Sequence, residues 1–147
     1  MVEPPRATHR LEVMPDLECV RLLRSNTLGR IALVDRESRP LVFPINYFFD
    51  EGIVVFRTDP GTKLDLAPGA RVAFEIDGYD AEASTGWSVV VKGFSHDVTE
   101  PADARAKRIH FWPVNPVVAG AKDHWIGIWV NEITGRLLRP APESPFS

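Results

Sequence analysis

Between Phe56 and Leu64 the sequence reads Phe-Arg-Thr-Asp-Pro-Gly-Thr-Lys-Leu. An apolar run ends there in a cation and a hydroxyl, turns on a glycine, and then offers a second hydroxyl and a second cation. Arg57 can donate a fork of hydrogen bonds, Thr58 and Thr62 add hydroxyl donors, and Lys63 brings a compact positive charge. Backbone amides in such a glycine turn can also point at an anion. The set suits a phosphate monoester, and on spacing alone it suits equally a polar hairpin end with solvated charges. It is not a Walker loop, because the Gly-x-x-x-x-Gly-Lys pattern is absent.

Two further stretches carry chemistry. In Pro44-Ile45-Asn46-Tyr47 a proline within an extended run leaves a neighbouring carbonyl unpaired, and Asn46 offers both a donor and an acceptor. Such a strand can lie along the edge of a flat heteroaromatic ring, or be a simple bulge. In Gly86-Trp87-Ser88-Val89-Val90-Val91 the alternation predicts a strand with two distinct faces, on which Trp87 either meets a ring or caps a core. His96, His110 and His124 match no metal spacing and are expected to pack or lie at the surface. Ser88 has no identifiable base and no nucleophile elbow, so no catalytic residue is assigned. Asp77, Asp80 and Glu82 are expected in a solvated polar loop.

These groups must be positioned by the rest of a 147-residue chain, about one domain in length. With 44% hydrophobic and 25% charged residues it is ordinary globular material, and a net charge of −3 with scattered Lys and Arg gives no basic stripe for nucleic acid. The single cysteine, Cys19, excludes an intramolecular disulfide and a cysteine-rich metal site, and is expected to be a small, partly buried apolar residue. Met1 to Arg10 contains no apolar run of the kind a signal peptide needs, and no uncharged stretch reaches membrane-spanning length. The expected setting is the cytoplasm, with no membrane partner.

Residues 1–10 and 140–147, rich in Pro and polar groups, are expected to be flexible ends around one domain at 11–139. Pro15 to Ser25 reads as a helix with Leu17, Val20, Leu22 and Leu23 as its apolar stripe. Strands follow at Arg30–Asp35, Leu41–Phe49, Ile53–Thr58, Arg71–Asp77 and Trp87–Thr99, with a last extended segment over Trp125–Leu138. Asp50-Glu51-Gly52 makes a hairpin, Lys63–Ala67 one helical turn, and Pro101–His110 a second helix capped near Thr99 or Glu100. Six strands with short connections and two short flanking helices predict a mainly β, antiparallel barrel.

The three stretches, in this order and at these separations, resemble the pyridoxamine 5′-phosphate oxidase-like flavoproteins, the FMN-binding split-barrel family. The likeness runs from about Leu17 to Arg139. It rests on Pro44-Ile45-Asn46-Tyr47, on Phe56 to Lys63, and on Gly86 to Val91. The resemblance implies a six-stranded antiparallel split barrel that binds FMN at the interface of a homodimer and acts as an oxidoreductase on a small molecule. By it, Thr58 and Lys63 bind the flavin phosphate, and Pro44 to Tyr47 run beside the isoalloxazine ring. Thr62-Lys63 stands where the oxidases carry Arg-Lys, so one cation is missing and Arg57 is expected to compensate. Ser88 stands where the oxidases have a glutamine that reaches the flavin. Trp87 and Ser88, or the Trp125–Arg136 strand, would then serve the second subunit's site. The last strand lacks the Arg-x-His substrate motif, so vitamin B6 oxidation is not implied. The same scaffold in relatives takes the deazaflavin F420, whose acidic tail would need Arg71, Arg136 and Arg139 to converge. A non-enzymatic flavin carrier is the remaining alternative.

Overall fold

A computed structural model describes residues 9–114 and 124–141. In chain order the elements are β1 (His9–Val13), α1 (Asp16–Ser25), β2 (Leu28–Val34), β3 (Pro40–Asn46), β4 (Phe48–Asp50), β5 (Ile53–Thr58), α2 (Thr62–Leu66), β6 (Arg71–Asp80), β7 (Thr85–Asp97), α3 (Ala104–Ile109) and β8 (His124–Pro140). All strands join one antiparallel sheet in the order β3-β2-β6-β7-β8-β5-β4, and β1 adds to β8. The sheet curls until β3 approaches β5. The result is the expected mainly β split barrel.

The strand count is eight rather than six. Strand β1 adds one: His9 and Arg10, expected in a flexible end, pair with Pro140 and Arg139. The remainder of both ends, residues 1–8 and 142–147, lies outside the described residues. The second addition arises at Tyr47, which splits the predicted Leu41–Phe49 strand into β3 and β4. Its amide donates to Thr27 O at 2.9 Å, and its ring turns into the core. The hairpin at Glu51-Gly52 has positive φ at both residues, 52° and 73°, the requirement of a two-residue turn that follows strand twist.

The helices also differ in detail. Leu17, expected on the apolar stripe of α1, is 86% exposed; the buried face is Cys19, Leu22 and Leu23. Cys19 is fully rather than partly buried, and burial pushes its thiol pKa upward. The cap of α3 is Asp103, whose carboxylate accepts from the Ala106 amide at 2.8 Å, and not Thr99 or Glu100. The carbonyls in the last turn of α1 lack helical partners, and side chains supply them. Asn26 Nδ2 donates to Leu22 O at 2.8 Å and Tyr47 Oη to Leu23 O at 2.7 Å.

Strand register fixes which side chains face inward. The row Phe43, Ile31, Phe74, Val91, Ile133 crosses five strands on the inner face. Ile31, Phe74 and Val91 there are fully buried, in a core shared with α1. Each such side chain contributes about 1.5–3 kcal/mol of apolar burial. Strand β5 is buried on both faces. Val54 and Phe56 enter this core, whereas Ile53 and Val55 enter a second cluster with Ile109 of α3, Trp112, Trp125 and Trp129. The opposite row, Pro44, Arg30, Glu75, Val90 and Thr134, lies on the outer face.

Candidate functional site

The mouth of the barrel at the end of β5 is built from Thr58 to Lys63. Thr58 is buried, and its hydroxyl donates to Asp59 O at 3.1 Å. Gly61 has φ 152° and ψ −161°, a region open essentially to glycine alone; the turn therefore depends on this residue. Thr62 is exposed and Lys63 half-buried at the start of α2. The Lys63 ammonium lies 5.7 Å from the centre of the Phe43 ring, within cation–π range. Phe43 immediately precedes Pro44 on β3, so two of the three stretches come together here.

The chain after α2 is held by Ser95 of β7. Its fully buried hydroxyl donates to Ala67 O, and to Ala70 O at 3.1 Å. Backbone bonds from Gly69 to Ser95 and from Ser95 to Ala70, 2.8 and 3.0 Å, complete the clamp. Sequence reasoning passed over Ser95; the available signal was a small hydroxyl residue between Phe94 and His96 near the end of β7.

The four residues of the second stretch divide by strand parity. Pro44 is exposed and Asn46 half-buried, while Ile45 and Tyr47 are in the core. Strand β3 ends the sheet, where the missing proline N–H removes no ladder bond on the open side. Tyr47 packs edge-on against Phe74 at 4.7 Å, and burial pushes its phenol pKa up. What Tyr47 presents to the edge is backbone, not its hydroxyl.

Arg57 and Thr58 point to opposite sides of β5. Thr58 follows Val54 and Phe56 toward the main core, whereas Arg57 follows Ile53 and Val55, and its guanidinium lies 5.1 Å from the Trp125 ring centre. Trp125 stacks in turn on His110 at 4.6 Å and 13°, and His110 Nε2 donates to Val98 O at 2.6 Å. The structure thus brings Arg57 to the aromatic cluster beneath α3 and not to the side of Thr58. His96 packs against Phe94 and Trp129. Among the described residues no group of three or more potential metal ligands forms.

The third stretch also divides. Trp87 packs against the main core with its indole over Gly78, where any Cβ would meet Nε1 at 2.6 Å. Ser88 faces outward in a row between Asp77 and Arg136. Asn46 occupies the same outer face, but β3 and β7 are separated by β2 and β6, about 14 Å at ordinary strand spacing. Around Gly86 an open trough of about 350 Å³ is lined by Leu11, Tyr79, Leu138, Asp77, Ser88 and Arg136. Asp77 and Asp80 lie in β6 rather than in the expected loop, and Arg30 Nη1 reaches both Asp77 and Glu75 at 3.3 Å. Burial first, and then the neighbouring Asp77 charge, holds the Glu75 pKa above its ordinary value against the pull of Arg30.

The cations proposed for an F420 tail do not converge. Arg71 pairs with Phe94 and Arg136 with Ser88, positions about 20 Å apart along β7.

The family model described as pyridoxamine 5′-phosphate oxidase matches residues 15–137. An uncharacterised protein of Mycobacterium tuberculosis, Rv0080, is 34% identical over 139 residues, covering 90% of this chain and 88% of its own. The structure of an FAD-binding protein from Mycobacterium smegmatis superposes with a TM-score of 0.74 at 36% identity, covering 88% of this chain and all (100%) of that one. An FAD-binding protein from Mesorhizobium loti shares the fold at 24% identity and TM-score 0.69, covering 88% of this chain and 98% of its own.

Proposed function

We propose, given that this chain belongs to the pyridoxamine 5′-phosphate oxidase family, that it holds a flavin nucleotide by its phosphate at the β5–α2 mouth and uses it as an oxidoreductase on a small molecule. One observation carries the assignment: Lys63, the cation of the phosphate turn, sits over Phe43 at the start of the Pro44–Tyr47 edge. From Phe43 to Asn46 the strand runs about 10 Å, which leaves room for the sugar-alcohol chain between a phosphate at the mouth and a ring beside Asn46. Thr62 and Lys63 hold the phosphate, joined by the Thr58 hydroxyl once it turns from Asp59 O, and the Pro44 and Asn46 backbone lines the ring edge. The flavin supplies the redox step, and the protein supplies orientation and electrostatics.

FMN is the first choice, because the mouth offers one compact phosphate cradle. FAD is the second, favoured by the 36% identical M. smegmatis protein, which binds it. F420 ranks below both because its tail cations lie far apart.

The outer face supports a homodimer. Leu11, Val13, Leu28, Val34, Val42 and Tyr79 are each at least half exposed there, an apolar surface of the kind that marks an interface. A two-fold axis across it would bring Ser88 of one protomer to the ring held by the other, spanning the gap that a single protomer leaves. The cytoplasm is the expected compartment, and no helix among the described residues is long and apolar enough to cross a membrane.

The test is direct. The purified protein is expected to carry flavin absorbance, or to quench flavin fluorescence and melt higher on titration with FMN or FAD. Unchanged spectrum and melting with both would reject the assignment. Bound flavin that neither NADH nor NADPH reduces, with quinone, nitro or diaryl acceptors present, would favour a carrier over an enzyme.

A further inference from the structure

We propose that the trough around Gly86 takes a flat, apolar molecule ending in a single carboxylate, and that Arg136 is the residue selecting it. The walls are hydrocarbon. Leu11 and Leu138 are direct cross-strand partners, and Tyr79 stands over Gly86 from the adjacent strand. The floor is open because residue 86 has no side chain: a Cβ there would meet the Tyr79 ring at 3.1 Å and Gly78 O at 3.2 Å. A trough of about 350 Å³ suits a one- or two-ring molecule.

Charge decides which end of the ligand is recognised. The trough's one acid, Asp77, is countered by Arg30 at 3.3 Å. Arg136 forms no ion pair among the described residues, and its Nη1 bonds only the adjacent Gly135 O at 2.9 Å. Its remaining guanidinium donors are therefore available for the two-pronged contact that a carboxylate makes. One arginine balances one charge, which favours a carboxylate over a doubly ionised phosphate monoester. Ser88, next to Arg136 in register, supplies a hydroxyl beside it. The trough lies on the face assigned above to the dimer, so its place opposite the flavin rests on the flavin assignment, whereas its affinity for the carboxylate does not.

The experiment uses the full chain as purified, with 2-naphthoate as probe and 2-naphthalenemethanol as its neutral counterpart, both by calorimetric titration. Naphthoate is expected to bind saturably and at least about 10-fold more tightly than the alcohol. Arg136→Gln is expected to abolish that preference while leaving alcohol binding in place. Arg71→Gln, at the far end of the same face, should change neither. Equal affinity for the two probes, no saturable naphthoate binding, or the same loss in both variants would overturn the proposal. Naphthoate preference in a protein that takes no flavin would sink the flavin assignment alone; flavin binding without preference would sink the trough alone.

Discussion

Lys63 and Arg57 carry the same charge six residues apart, yet the turn at Gly61 carries Lys63 into α2 while the two-residue period of β5 points Arg57 away from Thr58. Lys63 sits over Phe43 beside the edge strand, and Arg57 over Trp125 beneath α3. Arg57→Met is accordingly expected to leave FMN affinity within about threefold, with its effect appearing in melting temperature; a loss matching that of Lys63→Ala would return Arg57 to the phosphate. Tyr47 separates in the same way. Its phenol satisfies a carbonyl in the last turn of α1, so Tyr47→Phe leaves Leu23 O without that partner and is expected to cost about 1–3 kcal/mol of stability. Thermal melting reads that loss, and flavin titration of the same variant should read none.

At the scale of elements, the clamp between β7 and the α2–β6 connection sets the shape of the mouth. Ser95→Ala strips the buried Ala67 carbonyl of its hydroxyl donor, while Ala70 O keeps the Ser95 amide. It is expected to destabilise by about 1–3 kcal/mol and to weaken FMN binding through loosening of α2, measured by melting and titration together. Most of this architecture was legible in the sequence. Apolar extended runs announced β2, β5 and β6, alternation announced β7, and the Asp50-Glu51-Gly52 turn placed its hairpin correctly. What escaped had physical reasons. Strand β1 is five residues long and pairs only with the far end of the chain, a contact that local pattern does not encode. The inward turn of Tyr47 depends on a bond to Thr27, and the cap of α3 was expected three or four residues early because Thr99 and Glu100 precede the more effective Asp103. For the site, residue types were legible but their grouping was not: Arg57 and Thr58 read as a pair and point apart, as Trp87 and Ser88 do on the two faces that the alternation of β7 announced.

Across the whole molecule, the outer face joins an apolar surface to one compact charged cluster, Arg30 with Glu75 and Asp77. Because the Glu75 pKa is raised above the ordinary value of 4.5, the folded protein retains a proton there that the unfolded chain gives up first. That contribution is full below pH 4.5 and is lost as pH climbs through the raised value. Glu75→Gln should flatten this part of the stability–pH profile, and an unchanged profile would show that the carboxyl is not perturbed. Val42→Glu, placed on the same face where Val42 is 63% exposed, is expected to give monomers by sedimentation and to weaken flavin binding in parallel.

The phosphate contact at Lys63 is tested most directly by comparing FMN with riboflavin, which lacks the phosphate, in the unaltered protein and in Lys63→Ala. FMN should bind about 10- to 100-fold more weakly to the variant, equivalent to about 1.5–3 kcal/mol for a charge-assisted contact, while riboflavin affinity stays where it was. Equal losses for both ligands, or none for either, would contradict a phosphate held at the β5–α2 mouth.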